Sequence, residues 1–310
     1  MEQQQQSVVK GVPHVKVSKY SHGDVIFNIF LYGIAAVMLI IVIYPMWFIV
    51  IASVSNPAAV ATGKVWFWPS GFTLDGYKEL INRQNIWVGY RNTIAYVLVG
   101  TTVGLIVNIP AAYALSRRDL VGRKALTLFY VFTMFFNGGL IPTYMVVKDL
   151  GLYNTFAVMV LPFSVVVYHI IVARTFFSTS IPDGLWDAAQ IDGCGNLRFF
   201  FTMVLPLSKA ILAVLALWTA VGHWNAYFNA LIYLQDESRF PLQLILRSIL
   251  IINRYMASVQ GVDEAALQAR KVAEMIKYAS IIVSTVPIMC LYPFVQKNFN
   301  QGVMVGSIKE

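Results

Sequence analysis

The chain contains several apolar runs of about 20 residues or more that carry almost no charge, and these runs constrain its fold more than any other feature. As an α-helix, such a run crosses the roughly 30 Å hydrocarbon core of a bilayer. Lipid offers no hydrogen-bond partners, so backbone amides must pair within the segment and the runs are predicted to be helical. Only 12% of the 310 residues are charged, against about 25% in a typical soluble domain. The sequence predicts an all-α membrane protein.

Six runs are predicted to be transmembrane helices, at about 25–52, 91–115, 125–147, 154–174, 208–234 and 274–296. An even number of spans places both termini on one side of the membrane. The 25–296 region would be the transmembrane domain, flanked by polar tails at 1–24 and 297–310. The apolar segment 240–252 is too short to cross and is predicted to be an interfacial helix.

The short turns between spans decide the orientation, since basic residues over the whole chain divide almost evenly between the two sides. The turn Ser116–Lys124 carries four basic residues, whereas the turn Lys148–Tyr153 carries one. Lys and Arg in short loops favour the cytoplasmic side. Both termini are therefore predicted to be cytoplasmic.

The net charge of +8 does not indicate nucleic-acid binding, because the basic residues are scattered between apolar runs. They are typical of membrane boundaries in contact with lipid. Cys194 and Cys290 lie far apart without metal-ligand spacing, so no metal site is predicted. The chain has no GxxxxGK[ST] phosphate-binding loop and no HExxH or GxSxG motif. Neither an enzymatic activity nor a cofactor is predicted for it.

The loop between predicted spans four and five, at about 180–206, is the most informative polar segment. Asp183 can cap the start of a helix there, and Gly193 can provide the left-handed residue that ends it. A helix of about ten residues is marginal in water unless it packs against another surface. Ala188 and Ala189 would permit a close approach. A docking element and an ordinary amphipathic linker both agree with these residues.

This loop resembles one found in the membrane subunits of bacterial ABC importers, E-A-A-x-x-x-G, nine residues, then I-x-L-P. The chain has D-A-A-x-x-x-G, nine residues, then M-x-L-P, so Asp187 and Met203 are conservative departures. The resemblance implies six transmembrane helices in the ABC importer type I permease architecture, with a cytoplasmic coupling helix that sits in a cleft of an ATPase subunit. The ATPase-coupling residues implied are Asp187, Ala188, Ala189, Asp192, Gly193, Leu205 and Pro206.

Other segments resemble the maltose-type carbohydrate permeases. These are AAYALSR at 111–117, Trp224–Asn225, and the C-terminal residues 301–309. The segments NGGLIPTY at 137–144 and GLYNT at 151–155 resemble a branch of polysaccharide or complex-oligosaccharide permeases.

This resemblance implies an ATP-driven importer in the bacterial inner membrane with a carbohydrate substrate, in particular an oligosaccharide. The implied partners are a second permease subunit, two ATPase subunits that bind the ATP, and an extracellular or periplasmic sugar-binding protein. A coupling role for residues 302–309 at the ATPase interface is also implied.

Predicted span five is rich in polar and aromatic side chains, namely Trp218, His223, Trp224, Asn225, Tyr227 and Asn229. Three of them, Trp218, Asn225 and Asn229, would share one face of a continuous helix. Aromatic faces suit the C–H surfaces of a sugar, and amides suit its hydroxyls, so the six are candidates for a substrate path. Interhelical hydrogen bonding is the alternative use of such residues.

Two smaller features concern the neighbouring spans. His169 in predicted span four stands alone among aliphatic residues and is assigned to packing. In span three, Gly138, Gly139 and Pro142 are predicted to loosen the helix, because proline removes a backbone donor.

Two other functional classes need to be weighed. A self-sufficient secondary transporter or channel commonly keeps ionisable residues within its spans, whereas Asp and Glu are absent from the centre of every predicted span here. A purely structural membrane subunit would not need the 187–206 loop. An importer subunit is the favoured interpretation.

Overall fold

A computed structural model describes residues 22–258, 273, 275–290 and 293. These residues form helices and connecting segments, with no strand among them. The predicted 302–309 coupling segment and nearly all of both predicted tails lie outside this part of the chain. The α-helices, in chain order, are α1 His22–Ser53, α2 Pro57–Ala61, α3 Asp75–Asn82, α4 Gln84–Ser116, α5 Arg123–Phe135, α6 Leu140–Asp149, α7 Val167–Ser180, α8 Asp183–Ile191, α9 Asn196–Phe199, α10 Leu205–Leu207, α11 Lys209–Trp224, α12 Tyr227–Tyr233, α13 Leu242–Ser258 and α14 Met275–Cys290.

Two helices of the described chain are long and apolar enough to cross a bilayer without a break, α1 and α4. The described residues 22–50 form a compact unit of their own. Within α1 the apolar side chains are exposed on every side, as at Ile26 and Tyr32, which are 69% and 71% exposed. A helix that is apolar all round is typical of a membrane span.

The third predicted span is not one helix but two, because α5 and α6 meet at an angle of 110°. The break contains Gly138 and Gly139, and the Gly139 φ of +81° is one that side chains with a Cβ avoid. The Asn137 side-chain oxygen accepts a hydrogen bond from the Gly139 N–H at 3.0 Å. Pro142 lies in the first turn of α6, where a helix needs no donor. The glycines therefore interrupt the span, and Pro142 fits the new helix.

Predicted spans four and five are also interrupted. In span four, the 3₁₀ turns Ala157–Met159 and Leu161–Phe163 precede α7, which is inclined to them by 51°. In span five, α11 ends at Trp224 and α12 begins only at Tyr227. Up to five spans can be counted in the described residues if each bent pair crosses once.

Helix α4 is the centre of the bundle formed by the residues after Val50, since α7, α11 and α13 all pack against it. Small residues on α4 allow the close approach. A Cβ at Gly100 would lie 2.3 Å from Nε2 of His223, and one at Gly89 would lie 3.0 Å from Cα of Leu242. Residues of the neighbouring helices α11 and α13 occupy the space that larger side chains on α4 would fill.

Helix α13, predicted to lie at the membrane interface, packs its apolar side against protein instead. Leu242, Ile245, Leu246 and Ile249 are buried in one cluster with residues of α3, α4, α11 and α14. The Leu242 N–H donates to Oγ1 of Thr93 on α4 at 2.8 Å. The apolar face that the sequence predicted to contact the interface is therefore covered by other helices of this chain, which the sequence does not reveal.

A buried asparagine of α4 satisfies the backbone where span four breaks. Asn108 is 2% exposed, and its Nδ2 donates to the carbonyl oxygens of Gly104 and Ser164 at 2.6 and 2.7 Å. Its Oδ1 accepts from the Val166 N–H at 3.0 Å. Residues 164–166 lie outside helices, so this one side chain replaces hydrogen bonds that the break removes.

The close contact at Gly100 predicts that Gly100→Ala will destabilise the bundle. His223 is 8% exposed and has little room to move, so the added methyl should lower the free energy of unfolding by about 1–3 kcal/mol. The matched control is Gly222→Ala, since a Cβ on this α11 residue would meet nothing within 4 Å. Thermal unfolding of both variants in detergent would test this, and equal melting temperatures would contradict the packing argument.

The Asn108 hydrogen bonds predict a loss of stability in Asn108→Leu. Leucine has a similar size but leaves the Ser164 carbonyl and the Val166 N–H without their partner, at a cost of about 1–3 kcal/mol for each buried group. Asn225→Leu is the control, because Asn225 is exposed and donates only to the Val221 carbonyl of its own helix. The same unfolding assay should separate the two variants, and similar losses would argue against a special role for Asn108.

Candidate functional site

The helix predicted in the 180–206 loop is present as α8 and ends as the sequence indicated. Gly193 follows it with φ of +72°. The Gly193 N–H donates to the Gln190 carbonyl at 3.0 Å, and the Cys194 N–H donates to the Ala189 carbonyl at 2.8 Å. These two bonds form a Schellman motif, in which a left-handed residue closes a helix.

The start of α8 differs from the prediction. Pro182, rather than Asp183, occupies the N-cap position, and no side chain caps the helix. Asp183 is the first helical residue, and its Oδ2 lies 3.3 Å from Nη1 of Arg118. Its carboxylate therefore pairs with the turn after α4 instead of capping α8.

One side of α8 is anchored to the bundle through Trp186, which is 9% exposed. The Trp186 ring lies edge-on to Phe199, with 5.0 Å between the ring centroids. The Arg117 guanidinium lies over the same ring, 4.3 Å from its centroid. Ala189 is buried beside Trp186. Its small side chain, predicted to face a partner, faces this chain's own core.

The opposite side of α8 presents an exposed stripe, made of Gly184, Asp187, Ala188 and Ile191. The spacing of three and four residues puts them on one helical face. Ile191 is 88% exposed, which is unusual for a residue of a helix whose other side is packed. Asp192 and Gly193 continue the exposed surface beyond the helix.

Leu205 and Pro206, the last residues of the predicted loop, lie in a helical arm that spans Asn196–Leu207. Leu205 is half-buried against the core, and Pro206 is exposed. Five residues of the arm, Phe200–Val204, form a π-helical turn, which accommodates the donor that Pro206 lacks. The arm meets α11 at 82°. The two residues thus lie on the connection from α8 to the bundle.

The α4–α5 turn makes a contact with α8 that the sequence did not reveal. From the sequence, the basic residues of this turn indicate only the side of the membrane on which the turn lies. Nε and Nη2 of Arg117 donate to the Asp119 carboxylate at 3.0 and 3.1 Å. These hydrogen bonds hold the pKa of Asp119 below its usual range. Asp119 thereby fixes Arg117 over Trp186, and the only sequence signal was the neighbouring AAYALSR segment.

The six residues proposed for a substrate path do not form one group. His223 and Trp224 are buried: His223 against Gly100, and Trp224 with its Nε1 donating to the Ser284 carbonyl at 3.0 Å. Both serve helix packing. Trp218 is 37% exposed and stacks on Tyr168, with 5.6 Å between the ring centroids.

The remaining three lie around the break after α11. Asn225 and Tyr227 are exposed, and Asn229 is half-buried. The shared helical face predicted for Trp218, Asn225 and Asn229 was wrong, because the helix ends before Asn225. His169, set aside as a packing residue, is buried beside Trp218, and its Nδ1 lies 3.5 Å from Oγ1 of Thr219.

Comparison with known proteins identifies relatives over most of the chain. It is 36% identical over 285 residues to the polygalacturonan/rhamnogalacturonan transport system permease protein YtcP of Bacillus subtilis, covering 92% of this chain and 98% of that protein. It is 37% identical over 286 residues to protein LplC of the same organism, covering 92% and 94%. The resemblance to ABC importer permeases is therefore confirmed.

A solved structure agrees with these sequence matches. The crystal structure of a bacterial ABC transporter involved in the import of the acidic polysaccharide alginate contains a chain with 32% identity and a TM-score of 0.80. The superposition covers 91% of this chain and 99% of that chain. Residues 86–305 match the family described as binding-protein-dependent transport system inner membrane component. The chain belongs to this family of transport permease components.

Proposed function

We propose that this chain is a permease subunit of an ATP-driven importer for an oligo- or polysaccharide, and that α8 couples it to a separate ATPase subunit. The exposed stripe Gly184, Asp187, Ala188 and Ile191 is the observation that carries the coupling role. The similarity to a polygalacturonan/rhamnogalacturonan transport system permease supports a carbohydrate substrate.

The contacts of α8 support a mechanical route from the ATPase to the spans. A force on the stripe reaches Trp186 within the same helix. From there it reaches Phe199 in the arm and Arg117 at the end of α4. The arm leads into α11, which packs along α4. ATP binding would thus move α8 and the spans together, as in other rigid-body transitions.

The proposed assembly contains a second permease subunit, two ATPase subunits that bind the ATP, and an external sugar-binding protein. In the bacterial inner membrane, the α8 end of the bundle would face the cytoplasm, and both termini with it. Arg117, Arg118, Arg123 and Arg174 near α8 agree with that side. The second permease would complete the pore and cover apolar side chains that are exposed in this chain.

Part of the proposed substrate path is the stacked pair Trp218 and Tyr168, since partly exposed aromatic faces suit the C–H surfaces of sugar rings. Asn225, Tyr227 and Asn229 lie further along the chain with side chains not enclosed in the core. His223 and Trp224, which are buried, would not contact the substrate but would pack the helices behind the residues that line the path.

The direct test is transport by the purified assembly in liposomes. We expect uptake of a labelled pectin-derived oligosaccharide only when the ATPase subunits, the sugar-binding protein and ATP are all present. The control is the same assembly with an ATPase that cannot hydrolyse ATP. Uptake by this chain alone, without ATP, would instead indicate a self-sufficient secondary transporter or channel.

The stripe predicts that Ala188→Arg will detach the ATPase. Ala188 is exposed, so the long charged side chain should leave the fold intact while filling the contact surface. Gln190→Arg is the control, since Gln190 is exposed on the same helix but lies outside the stripe. Co-purification in mild detergent should recover at least about tenfold less ATPase with Ala188→Arg, which corresponds to about 1.4 kcal/mol of binding free energy. Equal recovery with both variants would exclude the stripe as the docking surface.

A further inference from the structure

Four arginines line a cavity of about 250 Å³ beside α8. Arg117 and Arg118 come from the turn after α4, Arg123 begins α5, and Arg174 lies in the middle of α7. Asp183, at the start of α8, also lines it. The coupling mechanism uses Arg117 as an anchor for Trp186 and assigns no task to the cavity itself.

Two of the four arginines are not neutralised. Arg117 pairs with Asp119, and Arg118 pairs with Asp183. Arg123 and Arg174 form no ion pair within the described residues. Nε of Arg174 donates to the Leu115 carbonyl at 3.1 Å, and Nη1 of Arg123 donates to the Arg117 carbonyl at 3.4 Å.

Arg123 and Arg174, the two arginines without an ion pair, are both half-buried residues. Burial removes water from a charge and is costly unless an opposite charge replaces it. The cavity therefore carries an excess of positive charge that an anion would compensate. Carbonyl oxygens satisfy one N–H of each group, so further N–H donors remain for a ligand.

The shape and donors of the cavity favour a phosphate group. Guanidinium groups bind phosphate oxygens through pairs of parallel hydrogen bonds. A concave site of about 250 Å³ accepts a head group but excludes a protein helix.

The surroundings favour a lipid as the source of that phosphate. Val121, between the basic residues of the turn, is 92% exposed. Further along α5, Leu128 and Phe129 are 70% and 64% exposed. Apolar side chains next to a basic pocket at the end of the spans are typical of sites for anionic phospholipids.

We infer that the arginine cavity binds the phosphate group of an anionic phospholipid, whose acyl chains lie along α5. The proposed orientation of the bundle places this lipid in the cytoplasmic leaflet. Lipid binding itself does not depend on transport. The phosphate would join the α4–α5 turn to α7 through Arg123 and Arg174, next to the Arg118–Asp183 ion pair at the start of α8. Lipid composition would then affect the position of the coupling helix.

The test measures lipid retention by native mass spectrometry of the full-length chain, purified with its partner subunits. The probes are phosphatidylglycerol and phosphatidylcholine, added separately at equal concentration, and inorganic phosphate. We expect phosphatidylglycerol to bind in preference to phosphatidylcholine. Arg123→Gln should weaken phosphatidylglycerol binding about fivefold, the scale of one basic residue at an anionic membrane surface.

The matched control is Lys124→Gln, which removes the same charge from an exposed neighbour that does not line the cavity. It should bind phosphatidylglycerol like the unchanged protein. If Arg123→Gln aggregates, Arg118→Gln decides, because the Arg118 side chain is 80% exposed and its substitution leaves the core intact.

Equal phosphatidylglycerol binding by the arginine variants and the Lys124 control would overturn the site. Binding of inorganic phosphate that depends on Arg123, without such a dependence for phosphatidylglycerol, would overturn the lipid as the source. Because the assay detects a bound lipid and not uptake, either result leaves the importer function to its own transport test.

Discussion

The arrangement of the bundle depends on how closely its helices can approach α4. At Gly89 and Gly100, atoms of the neighbouring helices lie too close to leave room for a Cβ. Transmembrane helices gain little from the hydrophobic effect when they associate in lipid, so packing and hydrogen bonds must hold them together. Around this helix the described chain combines both, with glycines at the close contacts and Thr93 and Asn108 at the hydrogen bonds.

Breaks in the spans are possible because side chains replace the lost backbone bonds. Asn108 does so between the 3₁₀ turns and α7, and Asn137 does so within the α5–α6 connection. Asn154 adopts a left-handed conformation with φ of 55°, and its Oδ1 accepts from the N–H groups of Gln235 and Asp236 at 3.0 Å. Asparagine tolerates this conformation better than most residues. These side chains therefore keep the backbone groups at the breaks hydrogen-bonded.

Hydropathy and local chemistry predicted the helical class, the positions of the apolar segments, and α8 with its end at Gly193. Those features depend on neighbouring residues, which a sequence displays. The burial of α13 and the packing of His223 against Gly100 depend on residues more than a hundred positions away. The break after Trp224 could not be predicted, because no strong helix-breaking residue marks it in the sequence. On α8, the motif predicted contact roles for Asp187, Ala188 and Ala189. It could not tell that Ala189 faces inward or that Arg117 covers Trp186.

The Asn108 hydrogen bonds also limit how the protein can move. They join α4 to the segment before α7 at a buried place. Separating the two would break the Nδ2–Ser164 and Val166–Oδ1 hydrogen bonds and leave two donors and two acceptors unpaired, at about 1–3 kcal/mol each. A transport cycle that broke this cluster would incur that cost at every turnover. Helix α4 and the start of α7 would therefore move as one rigid unit. The hinges of any alternating-access motion would lie outside these two segments.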